Sequence, residues 1–275
     1  MISWLNQWDV RALAGLDVWE FSARSLLHPY GRFFLRRMVL QHPWRAWKGF
    51  RVYAQTVRPA RQPALAPVLV KNEDDFCERA ATGPWLLALG FCEKPTDPPC
   101  PAGRFNHDCL WLRQDFQAAH STPLPCQHCR FRELAQHALS AGASLHLMTS
   151  AHDIARDILL PGLRHPPWKC LLLCVCPFSV PPISLAMTLC QLPGLVLDYN
   201  AGDCQNYHAW LQADNGVKPE RTFLTPAAHQ RMIAWMNSIA AIRKARGIPQ
   251  SVCYHLHDHF FHPTPSGNSP PSSPS

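Results

Sequence analysis

Residues 169–176 read K-C-L-L-L-C-V-C, a run of strand length that is apolar at every position after Lys169. A strand with one wet face alternates apolar and polar residues, whereas a strand apolar throughout is covered on both faces, as in the centre of a parallel sheet. Three short runs of similar character surround it: residues 85–91 (W-L-L-A-L-G-F), 144–148 (S-L-H-L-M) and 194–199 (G-L-V-L-D-Y). Helical patterns separate them. Residues 130–141 place Phe131, Leu134, Ala135 and Leu139 in helical spacing before Gly142, residues 151–160 follow a cap at Thr149 or Ser150, and residues 182–192 complete the set. Strands alternating with helices predict an α/β fold, a mostly parallel sheet of about four strands with crossover helices. A further helix begins near Asn206, and residues 227–246 form an amphipathic C-terminal helix with Met232, Ile233, Met236, Ile239 and Ile242 on one side.

With 275 residues, 47% of them apolar, the chain can bury a substantial core. Three parts are expected. Residues 1–62 form a basic, aromatic-rich helical appendage, residues 58–67 a linker, residues 68–247 a cysteine-rich α/β domain, and residues 248–275 a His-rich segment with a disordered tail beyond Phe261. The net charge of +7 sits in the first part, where ten Lys and Arg face only Asp9, Asp17 and Glu20. Trp4, Leu5, Trp8, Val10 and Leu13, then Phe33, Phe34, Met38 and Leu40, have helical spacing, and Arg32, Arg36, Arg37, Arg45, Lys48 and Arg51 supply the charge. Such helices either pack their aromatic side on the domain or dock on a protein partner or an anionic membrane surface. Nucleic acid is disfavoured, because no nucleic-acid motif is present. Residues 170–197 carry no Lys, Arg or Glu and are long enough to span a bilayer, but Pro177, Pro181, Pro182 and Pro193 divide them, so no transmembrane span is expected.

Twelve cysteines in a chain whose start, M-I-S-W-L-N-Q-W-D-V, lacks the basic and apolar regions of a secretory signal favour a reduced, cytoplasmic protein with metal-binding thiols. Five of them, Cys92, Cys100, Cys109, Cys126 and Cys129, fall in a Pro-rich loop too irregular for a strand or long helix. A loop of that length inside a domain needs something to hold it. The sheet gives other positions meaning, since sites in parallel α/β folds form outside the carboxyl ends of the strands. Cys92 follows the first strand, Thr149 and Ser150 the second, Cys174 and Cys176 the third, and Cys204 the fourth. The metal-ligand candidates are therefore Cys92, Cys100, Cys109, Cys126, Cys129, Cys176 and Cys204, with Cys174 divided between rim and core. The helix start at Thr149 and Ser150 is a place for an anionic group of a cofactor. Cys77, Cys170 and Cys190 have apolar neighbours and read as small core residues.

Tetrahedral thiolate sites hold zinc or iron-sulfur clusters. The spacing C-x7-C-x8-C-x16-C-x2-C matches neither the bacterial ferredoxin run nor a zinc ribbon, while eight candidates suffice for two four-Cys sites. An iron-sulfur cluster is the expected cofactor and zinc the alternative; His107 and His128 can replace a thiol in either. In order, Cys126 and Cys129, Ser150 after its strand, Cys174 and Cys176, and Gly202-Asp203-Cys204 resemble an uncharacterised prokaryotic family, domain of unknown function 116, over residues 85–215. The resemblance implies a cysteine-rich α/β domain that binds metal or a cluster, and it adds no reaction; the insertion from Cys92 to Cys109 departs from that family's pattern. P-C-Q-H-C before a helix is similar to the motif of thioredoxin-like oxidoreductases, although no strand leads straight into it here.

Three functions follow in order. The first is a metal-binding, redox or cluster-dependent protein, the second a structural-zinc docking or regulatory module acting through its N-terminal helices, and the third a dithiol oxidoreductase using Cys126 and Cys129. No catalytic acid or base stands out; Asp198, Asp203 and His146 lie near the expected rim, and His255, His257 and His259 alternate as a second metal-binding possibility. No Walker-type or dinucleotide-type glycine loop is present.

Overall fold

The computed structural model describes residues 18–113, 122–164, 166–202, 204 and 206–265. They form a mixed α/β structure around a seven-stranded sheet: β1 Leu65–Val68, β2 Trp85–Gly90, β3 Ala143–Met148, β4 Cys170–Val175, β5 Gly194–Asp198, β6 Ser251–His257 and β7 Phe260–Pro265. The order across the sheet is β1-β5-β4-β2-β3-β7-β6, with β5, β4, β2 and β3 parallel and β1, β7 and β6 added antiparallel at the two edges.

The four parallel strands are the four expected from sequence; the sheet of about four strands is corrected to seven. The three additions had weak signals. β1 is a four-residue edge strand that follows Pro63, contains Pro67 and lies, all but Val68, inside the stretch read as a linker, and edge strands tolerate proline that central strands do not. β6 and β7 form a hairpin out of the His-rich segment and the start of the expected tail, so the sheet runs past residue 247. Its two-residue turn, Asp258-His259, has both residues at positive φ, +46° and +68°, as a tight primed hairpin turn needs, without the Asn-Gly or Asp-Gly pair that announces one. His259 is therefore a turn residue and does not share a strand face with His255 and His257.

Helices cover both faces. On one side α4 (Glu73–Ala81), α5 (Arg130–Ser140) and α9 (Pro226–Ala245) enclose Leu87, Leu145 and Leu172 of the sheet. On the other, α6 (Ala151–Asp153, which runs on into a π-helical segment Ile154–Leu159), α7 (Val180–Cys190) and the N-terminal helices enclose Leu86, Leu171 and Leu173. Leu171, Leu172 and Leu173 are each fully buried, as the unbroken apolar run requires. Cys170 and Cys174 face the first core, as does Cys77, and Cys190 the second, so all four are core residues. Among the described residues no helix is long and apolar enough to cross a membrane.

The basic N-terminal helices are α1 (Trp19–Ser25), α2 (Pro29–Phe34), which runs on into a π-helical segment Leu35–Leu40, and α3 (Pro43–Val52). Trp4, Leu5, Trp8, Val10 and Leu13 lie outside the described residues. Met38, Ala46, Tyr53 and Val57 are buried in the second core, so this part of the chain packs its apolar side on the domain. The closest approach is at Gly49, where a Cβ would stand 2.8 Å from the Leu189 Cα of α7. Gly49→Val is expected to prise α3 from α7 and destabilise the protein by about 1–3 kcal/mol in urea unfolding, as overpacking of a close contact does. An unchanged midpoint would mean that α3 does not rest on α7.

Candidate functional site

The chain leaves β2 toward β3 on one side and returns past it to β4 on the other, so the strand order reverses between β2 and β4. Ligands of doubly wound folds bind at the carboxyl ends of the strands where this reversal opens a crevice. A cavity of about 100 Å³ lies there, lined by Cys92, Thr149, Ser150, Cys176, Tyr199 and Cys204 among others. Each thiol is placed by a sharp local turn. Cys92 lies in the 3-10 turn Phe91–Glu93 after β2, Cys176 precedes the turn Pro177–Ser179 after β4, and Cys204 has φ +94° beyond β5. Gly202 makes that last turn possible. Its φ is +100°, and a Cβ would meet the Arg221 carbonyl oxygen at 2.3 Å.

The crevice thiols form a linked set. Cys176 Sγ lies 3.0 Å from Ser179 Oγ, and Cys204 Sγ accepts a 3.0 Å hydrogen bond from the buried Lys218 Nζ while its thiol donates to the Ala209 carbonyl. A hydrogen bond between Cys176 and Cys204, reinforced by burial, pushes the Cys176 thiol well up. Burial pushes Cys92 up to about 12 against the pull of the Lys218 ammonium.

The other four expected ligands lie apart from these. Cys100, Cys109, Cys126 and Cys129 line a second, enclosed space of about 20 Å³ beneath the loop, together with Lys94, Trp111 and Arg132. Cys109 precedes the 3-10 turn Leu110–Leu112, Cys126 lies in the turn Leu124–Gln127, and Cys129 is the N-cap of α5. Backbone amides point at two of the sulfurs, those of Phe131 and Arg132 at Cys129 and that of Leu112 at Cys109. Burial raises Cys126 and Cys129 and pushes Cys109 up to about 12, and neighbouring thiols add to the rise. The seven cysteines thus divide into a set of three in the crevice and a set of four under the loop. Among the described residues no three His, Cys, Asp or Glu side chains are grouped so as to hold a metal ion as they stand.

The Lys94 ammonium, with the residue only 2% exposed, is the centre of the loop. It donates to the carbonyls of Gly103 at 3.1 Å, Asn106 at 3.1 Å and Asp108 at 2.8 Å, and to Asn106 Oδ1 at 2.6 Å. All four acceptors are neutral. Burial lowers its pKa, and the negative charge best able to hold it ionised comes from Cys100 and Cys109, ahead of the Asp108 carboxylate.

The helix start expected to receive an anion is occupied from within. Ser150 Oγ accepts from the Asp153 amide at 3.2 Å, the Thr149 hydroxyl donates to the Asp153 carboxylate, and the Ala151 amide donates to Asp214 Oδ1 at 2.5 Å. Thr149 and Ser150 do line the crevice, but the carboxylate that meets this helix is the protein's own. His107 turns away from the loop thiols, with Nδ1 2.7 Å from the Leu147 carbonyl oxygen and Nε2 3.5 Å from Asp153, and stacks on His146. His128 stands exposed on the turn between Cys126 and Cys129. Asp203 lies outside the described residues.

Sequence reasoning missed the charged partners. Lys94, Lys218, Asp214 and Glu93 were not singled out from the sequence. Glu93 is fully buried, and burial pushes its carboxyl up to about 7 against the opposing guanidinium of Arg221. The only signal available was the closeness of Glu93 and Lys94 to Cys92. No family model, curated protein or solved structure matches the chain.

A raised Cys126 thiol is the opposite of the lowered one that dithiol exchange needs at neutral pH. In metal-free protein, iodoacetamide at pH 7 is expected to alkylate Cys126 more slowly than free cysteine, with the rate climbing as pH rises above the ordinary thiol range. Faster alkylation than free cysteine, read by mass spectrometry of the Cys126 peptide, would restore the oxidoreductase reading.

Proposed function

We propose that the chain is a metal-binding protein in which Cys100, Cys109, Cys126 and Cys129 hold one tetrahedral ion, zinc, that fastens the long connection from β2 to β3. The observation that carries this reading is the buried Lys94 ammonium, surrounded by four thiols and hydrogen-bonded to neutral acceptors alone. A buried charge without a counter-charge is costly, and thiolates on a divalent ion supply it. Four thiolates and one zinc leave a net charge of two negatives, one of which Lys94 offsets at short range. The enclosed space is close to that of a single water and suits an ion better than a cluster.

The iron-sulfur reading falls instead on the crevice. Cys92, Cys176 and Cys204 are three thiols beside a larger space and a lysine, and three protein ligands with an open fourth position make a reactive centre where four make a closed one. A cluster held there would supply electron transfer or Lewis acidity. The proposed kinship with domain of unknown function 116 draws on both places, since Cys126 and Cys129 lie under the loop and Ser150, Cys174, Cys176 and Cys204 line the crevice. A reducing, cytoplasmic setting is also part of the proposal, and all twelve cysteines are free in the structure.

The outer side of the N-terminal helices supports docking on an anionic membrane surface or a protein partner. Leu27, Leu40 and Trp44 are exposed at 77%, 67% and 81%, and Arg36, Arg37, Lys48 and Arg51 are exposed among them.

Metal analysis and an absorbance spectrum of anaerobically purified protein test the assignment. Stoichiometric zinc lost in Cys109→Ser/Cys129→Ser and kept in Cys176→Ser/Cys204→Ser is the expected result for the loop. Iron with visible absorbance, lost in the second variant alone, would assign a cluster to the crevice; a wild-type protein with neither metal overturns both. Loop zinc should also be released on acidification. The free thiols hold protons at neutral pH that the bound thiolates have lost, so occupancy falls as pH falls, by about tenfold in affinity per pH unit for each proton displaced.

A further inference from the structure

A large apolar space among the described residues lies apart from the loop thiols. A cavity of about 280 Å³ lies between the N-terminal helices and the face of α7, walled by Phe34, Val39, Phe50, Leu159, Leu185 and Leu189 among others. Protein interiors seldom leave voids larger than a water, and none of the described residues fills this one. Its few polar atoms are already engaged. Ser25 Oγ is 2.6 Å from the Tyr30 hydroxyl, which lies 3.3 Å from the Tyr207 hydroxyl. An occupant therefore has to be apolar.

Two of its walls have an uncommon cause. Leu35–Leu40 and Ile154–Leu159 are π-helical, and both contribute to the lining. π-Helical turns within α-helices are found frequently at functional sites.

The cavity also meets the thiol crevice. Phe21, Ala151, Ile154, Pro182 and Ile183 wall both spaces. Beyond them the surroundings become polar, with Ser179, Cys176 and Thr222 on the crevice side. At the other end Leu26, 44% exposed, brings the lining to the surface beside Leu27. The two spaces together reach the range of about 300–1,000 Å³ in which small-molecule sites fall.

We propose that this compartment binds a single-chain aliphatic amphiphile, with its hydrocarbon chain in the cavity and a small polar head at Cys176 and Ser179. The site stands on its own whether or not the loop holds zinc, but it excludes a cluster on Cys176, since that thiol cannot both ligate iron and receive the head, and a cluster found there overturns the placement of the head. Titration of the full chain with cis-parinaric acid, followed by its fluorescence, is expected to show saturable binding reversed by lauric acid and not by butyric acid. Ala186→Trp, which fills the cavity from α7, should weaken binding by about tenfold or more, and the milder Ile183→Phe should weaken it measurably. Leu27→Ser, outside the lining, should bind as the wild type does. Circular dichroism melts of each variant separate a filled cavity from an unfolded protein. Cys109→Ser/Cys129→Ser should still bind, which keeps this outcome distinct from the fate of the zinc assignment. Absence of saturable binding, or equal binding in folded Ala186→Trp and Ile183→Phe, overturns the proposal. Binding that appears only in Trp4→Asp/Trp8→Asp would give the cavity to the chain's own first segment and overturn it as well.

Discussion

Parallel strands cannot be joined by tight turns, so each of β2, β3, β4 and β5 has to be linked by a segment that leaves one end of the sheet and returns to the other. The carboxyl ends of all four strands consequently share one rim, and whatever follows each strand is gathered there. Residues far apart in the chain, Cys92, Ser150, Cys176 and Cys204, line one crevice for this reason alone. Burial on both faces fixes the register tightly, because the sheet has no wet side onto which a strand could slip. Leu171, Leu172 and Leu173 alternate between two cores that are each fully closed.

The link from β2 to β3 bears a second burden. It is the longest of the crossovers, and it carries five cysteines and Lys94 before reaching α5. Apolar contacts secure part of it, as where Arg132 lies over the Trp111 ring at 4.9 Å and the Phe91 and Phe105 rings meet edge to face at 5.1 Å. Arg104 ties it to the carbonyls of Lys218 and Glu220, and the residues from Gly103 to Asp108 converge on one ammonium, which three carbonyls and an amide oxygen share. That arrangement ties the loop into shape while leaving a positive charge in a dry place, and the thiols beside it are the groups able to answer that charge. The structural role of Lys94 and the chemistry of the cysteines are thus one electrostatic problem.

Much of this was legible in the chain before folding. The apolar run at residues 169–176 announced a central strand, and the parallel rim followed from the alternation of strands and helices. What remained hidden has physical causes. β1 was obscured by prolines that an edge strand tolerates, and the β6-β7 hairpin by histidines whose alternation reads as polar. Its turn is built from Asp258-His259, a pair that bears the left-handed backbone without advertising it. The division of seven cysteines into three and four depends on how an irregular loop folds back, which no periodicity encodes. The buried lysines were hidden for a similar reason, since lysine in a loop is ordinarily solvated.

The N-terminal helices change meaning once placed on the sheet. Composition marks them as an appendage, basic on one side and aromatic on the other, and such a segment can dock anywhere apolar. Here Met38, Ala46, Tyr53 and Val57 bury against α7 and the sheet, yet a cavity remains, with the π-helical segments Leu35–Leu40 and Ile154–Leu159 among its walls. Closing it would require α1 and α2 to move inward, but the aromatic cluster of Phe21, Tyr30, Tyr207 and Trp210 props them at a fixed distance from α8 (Tyr207–Asp214). Rigid rings with few rotamers serve as spacers better than flexible aliphatic chains. The helices that carry the basic surface therefore also form one wall of the apolar space, and the thiol crevice adjoins it along Phe21, Ala151, Ile154, Pro182 and Ile183. Surface, cavity and crevice follow one another in a single direction because the same two helices bound the first two and the carboxyl rim of the sheet bounds the third.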